Sequence, residues 1–131
     1  DRSVSRGLGD VYKRQVYQEN QHYVGVEAVN DKDFAAKVLA DNVQADRLII
    51  LTGVDNIYIN YNQPDQQALK EITVEQAEQY IEEGHFAAGS MLPKIQAAIG
   101  FVNEDASRTA IITSIENLAV LDQQVGTILR K

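Results

Sequence analysis

The sequence predicts an α/β fold: a three-layer αβα sandwich in which helices cover a mainly parallel sheet. Three observations carry that expectation. Residues 47–52 (RLIILT) and 109–114 (TAIITS) are short, nearly unbroken apolar runs, the pattern of parallel strands covered on both faces. Residues 34–44, 74–83 and 95–102 carry apolar side chains at helical spacing. These two kinds of segment alternate along the chain, which points to helices packed on a parallel sheet.

In order along the chain, residues 1–15 (DRSVSRGLGDVYKRQ) hold no sustained period and are basic where the rest is acidic. They read as a non-native or flexible tail and are set aside from the fold, which is assigned to residues 16–131. Residues 22–29 (HYVGVEAV) form an extended segment, broken by Asn30-Asp31-Lys32-Asp33. Asp33 reads as the N-cap of a helix over about 34–44, with Phe34, Val38, Leu39 and Val43 on its buried face. After the first strand, Thr52–Asn56 turns the chain, Ile57–Tyr61 alternates as a short strand, and 62–67 is a polar loop. Thr73 and Gln76 make a capping box for a helix over 74–83, with Val74, Ala77 and Ile81 inward and Gly84 at its end. Ser90 caps the next helix, which runs to about Val102 with Ile95, Ala98, Ile99 and Val102 on one face. Ser114 caps a short helix over about 115–122, and Val125–Leu129 is a last strand.

The chain has 131 residues, no Cys and 44% hydrophobic residues, enough for one domain with a core. No apolar run reaches the ~20 residues of a membrane-spanning helix, and no secretory signal pattern opens the chain, so the expected location is cytoplasmic. Net charge is −7; residues 1–15 contribute two acids and four bases, leaving 17 acids against 8 bases and a net −9. Such a surface repels nucleic acid, so a phosphate ligand has to be held by a local cluster of lysines and amides.

Phe86–Lys94 (FAAGSMLPK) is the stretch where such a cluster is expected. Gly89 permits a tight turn, and Pro93 is tolerated only in a first helical turn. Lys94 then places a cation where the helix dipole is already positive, at a cost of roughly 0.3–1 kcal/mol. Free backbone N–H groups, a helix N-terminus and a lysine make an anion seat. Lys32 sits beside a second helix N-terminus in the same way. From spacing alone, Asp31-Lys32-Asp33 reads equally as a solvated turn with a capping aspartate. Thr52, Asp55 and Tyr58 read equally as strand-end and turn residues. His85 reads as a hydrogen-bonding loop residue, and His22 carries no signal. No His/Cys/Asp cluster has metal-ligand spacing, no G-x-x-x-x-G-K-[ST] loop is present, and no serine or cysteine nucleophile pairs with a histidine.

The segments GVEAVNDKDF (25–34), LIILTGVDNIYINYNQPDQ (48–66), EEGHFAAGSMLPKIQAAI (82–99), AIITSIENL (110–118) and GTIL (126–129) together resemble the C-terminal part of carbamate kinases, members of the amino acid kinase family. The resemblance covers nearly all of the chain after the tail, and PDQ with GHFAAGSMLPK separates it from acetylglutamate, aspartate and uridylate kinases. It implies the C-terminal portion of the amino acid kinase fold, and reversible phosphoryl transfer between ATP and carbamate giving ADP and carbamoyl phosphate. The net direction implied is ATP synthesis in arginine or agmatine fermentation, by a cytoplasmic homodimer using Mg²⁺ carried in with ATP or ADP. By the same resemblance Lys32 and Lys94 touch the transferring phosphates, and Asp31 holds those lysines in place. Thr52, Gly53, Asp55 and Tyr58, with Gly89, Ser90 and Met91, line the nucleotide. Asn30 departs from the apolar residue usual at its position. A further family lysine has no counterpart here, so a fragment lacking the N-terminal part, and inactive alone, is the expectation. Replacement of Lys94 is expected to lower turnover with little effect on folding. A non-catalytic nucleotide-binding or dimerisation module, and another amino acid kinase acting on a carboxylate, remain the alternatives.

Overall fold

The computed structural model of the chain describes residues 15–26 and 32–131. In chain order its elements are a hairpin of β1 (Gln15–Glu19) and β2 (His22–Val26), then α1 (Lys32–Asn42), β3 (Arg47–Thr52), β4 (Ile57–Ile59), β5 (Gln67–Leu69), β6 (Glu71–Thr73), α2 (Val74–Glu82), α3 (Met91–Glu104), β7 (Thr109–Ser114), a 3₁₀ segment (Ile115–Gln123) and β8 (Thr127–Arg130). The tail and Asp31 lie outside the described residues, except Gln15, which opens β1. The hairpin turns on Asn20 and Gln21, both at positive φ (48° and 68°), as a tight two-residue loop requires.

The main sheet has the order β3-β7-β8-β6. β3 and β7 are parallel, β8 and β6 are parallel, and β7 meets β8 antiparallel. The fold is therefore α/β with a mixed, mainly parallel sheet. Strand register explains its core. Leu48 lies opposite Ala110, Ala110 opposite Leu129, and Leu129 opposite Ile72. That row crosses all four strands on one face, and all four residues are buried. A one-residue slip would turn the whole row outward, so burial fixes the register. Ile95, Ala98, Phe101 and Val102 of α3 are wholly buried in the same core. α1 packs on β3 and α3, α3 on β7 and β8, and α2 on β6 and α3, so the helices form one layer in the order α1-α3-α2. The described residues thus supply the sheet and one of the two helical layers expected.

α2 follows the sequence closely: the Thr73 hydroxyl accepts from Gln76 N, and the Gln76 side chain accepts from Thr73 N. α1 does not. It begins at Lys32, so Asp33 is a buried first-turn residue and not an N-cap. Its predicted buried face is turned outward, with Phe34, Val38, Leu39 and Val43 all exposed. The buried residues are Asp33 and Ala40, because the side of α1 that meets α3 is the small and charged one. Ser114 makes no cap hydrogen bond either; its hydroxyl donates to Asp55.

A salt-bridged cluster fastens the far end of α1. Lys37 and Arg108 reach the two carboxylate oxygens of Asp41 at 2.7 and 2.6 Å, and the Arg108 guanidinium lies 4.6 Å from the Phe101 ring centre. Burial pushes the Asp41 carboxyl up, but hydrogen bonds from Lys37 and Arg108 outweigh it and hold it below the usual carboxylate range. A depressed folded-state value contributes stability above the unfolded value, ~4, and that contribution is lost as pH falls through the folded one. Asp41→Asn should accordingly flatten the acid limb of a stability–pH profile below about pH 4; an unchanged limb would contradict the assignment.

Gly126 is held where only glycine fits. Its φ is +81°, and an added Cβ would lie 2.6 Å from Thr113 Cβ and 2.8 Å from the Ile112 carbonyl. Gly126→Ala should cost roughly 2–4 kcal/mol in urea unfolding from strain and overpacking. Gly89→Ala, with nothing within 4 Å of its Cβ position, is the control and should be nearly neutral. Equal midpoints for the two variants would count against this packing.

Candidate functional site

Chain direction alone gathers the candidate residues at one end of the sheet. α1 runs into β3 through residues 43–46, and α3 runs into β7 through residues 105–108. Connections that short leave each helix antiparallel to the strand that follows. The helix N-termini therefore stand level with the strands' C-terminal ends. Because β3 and β7 are parallel neighbours, with Thr52 opposite Ser114, all four ends share one rim. In open α/β sheets that is the rim where ligands bind.

Lys94 lies in the first turns of α3 and is buried, although a lysine is rarely so. Its Nζ donates to both carboxylate oxygens of Asp33, each at 3.2 Å, and each side chain is only 11% exposed. The pair joins the N-terminal turns of two helices across 61 residues of sequence. Lys32, immediately before Asp33, opens α1, is exposed and makes no ion pair among the described residues. Two lysines therefore flank one carboxylate at the mouths of two helices. The helix dipoles add positive potential at the same place.

The second part of the rim is a cleft of about 330 Å³ lined by Gly53, Val54, Asp55, Tyr58, Tyr61, Asn62 and Gln66. The Tyr58 and Tyr61 ring centres are 5.8 Å apart at 46°. The cleft loop is fastened to β7 from below. Asp55 accepts from the Ser114 hydroxyl and, at 3.3 Å, from the Asn117 amide, while the Thr113 hydroxyl donates to the Asp55 carbonyl at 3.2 Å. On the other side, Ile57 N donates to the Thr127 hydroxyl at 2.8 Å, and that hydroxyl donates to the Leu69 carbonyl. His85 accepts from Asn60 N at 3.4 Å through Nδ1 and meets Glu83 at 2.9 Å through Nε2. It is a loop-fastening residue, as its sequence context suggests.

Gly53, Asp55 and Tyr58 thus line the cleft, with the Asp55 carboxylate already engaged by its own chain. Thr52 closes β3 and is half-buried behind it. Gly89 and Ser90 are exposed in the turn before α3, where Ser90 N and Leu92 N both donate to the Ala87 carbonyl. Ser90 is at the N-cap position without a side-chain cap bond, and Met91 opens the helix. None of these three lines the cleft. Asp33, Ser114, Asn117, Asn62 and Gln66 belong to the candidate site by lining or fastening it, and sequence reasoning did not single them out for that. Among the described residues no group of His, Cys, Asp or Glu is placed to hold a metal ion.

The buried pair also corrects the expectation that Lys94 can be replaced without cost to folding. Removing one partner strands the other charge, a loss of about 3–5 kcal/mol. Lys94→Met combined with Asp33→Asn should cost less than the two single changes added together, by about 1 kcal/mol or more. Strict additivity in chemical denaturation would mean the two groups do not interact.

The profile of the amino acid kinase family matches residues 13–114. Carbamate kinase 2 of Enterococcus faecalis is 71% identical over 114 residues, covering 87% of this chain and 36% of that protein. The carbamate kinase of Oenococcus oeni is 54% identical over 129 residues, covering 98% of this chain and 40% of that protein. Among solved structures, the Giardia lamblia carbamate kinase bound to AMP-PNP superposes with a TM-score of 0.79 at 42% identity, over 88% of this chain and 41% of that one. The chain thus spans about 36–40% of the length of these curated relatives.

Proposed function

This chain belongs to the amino acid kinase family, and from that premise we propose that it is the nucleotide-binding part of a carbamate kinase. The whole enzyme transfers a phosphoryl group reversibly between ATP and carbamate, giving ADP and carbamoyl phosphate. The observation that carries this reading is the Lys94–Asp33 pair beside Lys32, on the same rim as the tyrosine-lined cleft. Likeness to carbamate kinases, one of them solved with AMP-PNP, supports it. The sequence resemblance supports operation in the cytoplasm as a homodimer, running towards ATP in arginine or agmatine breakdown.

Phosphoryl transfer asks a protein chiefly for positioning and for positive charge around the transferring oxygens. Here the cleft between Gly53 and Gln66 is proposed to take the nucleoside. Lys32 is the exposed, mobile ammonium that meets the phosphates. Lys94 is held still by Asp33, so its charge is fixed before the ligand arrives and costs no reorganisation. The Gly89–Met91 turn brings the exposed N-terminus of α3 to the same anion. Asp31 keeps its proposed supporting role and lies outside the described residues. Mg²⁺ is proposed to arrive on the nucleotide phosphates, where it offsets their charge.

The test joins this chain to the part of the Enterococcus faecalis relative outside the matched 36% and follows ATP formation from ADP and carbamoyl phosphate. Lys32→Ala should lower kcat by ~10²–10³ with the melting midpoint unchanged, because the side chain is exposed and unpaired among the described residues. Wild-type turnover in that variant would overturn the assignment. A second reading is a nucleotide-binding module without turnover, favoured by the 36–40% span. Binding of ADP without ATP formation in the joined protein would select it. Turnover only with a carboxylate acceptor would select another amino acid kinase.

A further inference from the structure

One wall of the cleft stands on a hairpin that lies outside the main sheet. β4 and β5 pair as a separate antiparallel ribbon, from Ile57 opposite Leu69 to Ile59 opposite Gln67. Two strands of that length are marginal on their own. The base is tied down by Ile57 N to the Thr127 hydroxyl and by the Asn56 amide to the Leu69 carbonyl at 3.0 Å. The tip, residues 60–66, carries Tyr61, Asn62 and Gln66 of the cleft lining. Its own bonds give it shape: the Asn60 amide donates to Asp65 at 2.9 Å, Asn62 N to the Gln66 side chain at 2.9 Å, and Gln63 N to the Asn60 carbonyl at 3.0 Å. Among the described residues, a single hydrogen bond joins this tip to anything beyond its own hairpin. Asn60 N donates to His85 Nδ1 at 3.4 Å.

His85 is itself held in place. Its backbone N donates to the Tyr80 carbonyl at 3.2 Å, and its ring meets the Tyr80 ring edge-on with centres 5.7 Å apart. Nε2 lies 2.9 Å from Glu83, and the side chain is 17% exposed. These contacts decide where the ring proton sits. A backbone N–H is always a donor, so Nδ1 accepts from Asn60 and carries no proton; the proton is on Nε2, facing Glu83. Hydrogen bonds from Gln79 and His85 hold the Glu83 carboxyl below the usual carboxylate range, so it is ionised wherever histidine titrates. The other titratable groups that reach this junction are Tyr80 of α2 and, across Asn60, Asp65 of the tip.

We propose that His85 is a positioning residue for the cleft and acts as a proton-sensitive latch: its neutral ring holds the Asn60 N–H, and with it the wall of Tyr61, Asn62 and Gln66, and its charged ring lets that wall go. A second ring proton goes onto Nδ1, and two donors then face each other across the junction. Glu83 attracts the imidazolium and keeps it in place, so the ring does not swing out to relieve the clash. The tip moves instead. The wall is therefore set above the pH at which histidine ordinarily titrates, ~6.5, and released as pH falls through that range. A ligand seated against the wall is held less tightly in acid. That effect on a ligand rests on the nucleotide-binding role proposed above, whereas the latch itself rests on the hydrogen bonds alone.

The experiment follows the full chain by nitrogen-detected NMR of the His85 ring and of the Asn60–Gln66 amides from about pH 8 to about pH 5.5, either side of histidine's ordinary titration. The expected result is a neutral ring protonated on Nε2, with ring and tip amides shifting together on acidification. A neutral ring protonated on Nδ1, or tip amides that stay still while His85 titrates, overturns the proposal. Calorimetry with ADP and Mg²⁺ over the same range reads the consequence. Binding should weaken by roughly three- to tenfold more in the wild-type chain than in His85→Asn, whose side-chain oxygen accepts from Asn60 N at every pH; that spread is the worth of one hydrogen bond. His85→Phe, with no acceptor, should bind ADP at about pH 8 as weakly as the acidified wild type, with an unchanged melting midpoint showing that it folds. Equal acid weakening in the wild type and His85→Asn overturns the latch, because protonation of ADP itself acts on both alike. Absence of ADP binding at every pH counts against the nucleotide-binding role, and the tip amides still decide the latch.

Discussion

A buried ion pair holds together the end of this molecule where the candidate site lies. Lys94 and Asp33 are both withdrawn from water, and withdrawing two charges costs several kcal/mol per ion before their attraction is counted. Two hydrogen bonds to one ammonium recover that cost only if both side chains are held at hydrogen-bonding distance. The backbone supplies this by setting α1 and α3 side by side with their N-termini level. The helix layer therefore determines where positive charge stands, and the ion pair in turn locks the start of α1 to the start of α3. At the other end of the same helices, Lys37, Arg108 and Asp41 perform a similar task near the surface. α1 is clamped twice by charge because its apolar side faces away from the core.

The sheet gives that rim its rigidity. The row from Leu48 to Ile72 sets the strand heights, so Thr52 and Ser114 end together. From there the chain turns at Asp55, whose carboxylate and carbonyl are bound by Ser114, Asn117 and Thr113. Gly126 lets the approach to β8 pass against Thr113 without a side chain in the way. A cleft loop fastened at so many points is positioned before any ligand enters. Preorganisation of this kind is what the proposed nucleotide-binding role asks of the cleft.

Local patterns were legible in the sequence and long-range pairings were not. The runs at β3 and β7 announce buried strands, and the Thr73–Gln76 box places α2 to within a residue. Ile95, Ala98, Ile99 and Val102 share a face and are buried together. The same periodicity misleads at α1, because spacing tells which residues share a face and not what covers it. Phe34, Val38, Leu39 and Val43 do share a side of α1 and the turn after it, but that side is exposed and the opposite one meets α3. Asp33 has an N-cap's composition and a salt bridge's role, and only the fold brings Lys94 to it. Ser114 offers a hydroxyl that a nearby carboxylate claims before the helix end can. The strands β5 and β6 are three residues each, below the length at which alternation is readable. β1 escapes notice because its turn residues are Asn20 and Gln21, not an Asn-Gly pair.

If the rim is a phosphate seat primed by one carboxylate, both lysines must sense the same anion. Nitrogen-detected NMR of the Lys32 and Lys94 ammonium groups, in the chain assembled with its complementary segment, reports this during an ADP titration. The account predicts that Lys94 is visible before nucleotide is added, sheltered by Asp33, and that both resonances shift together to a 1:1 end point. Nucleotide bound with either resonance unmoved, or no binding at all, would contradict it.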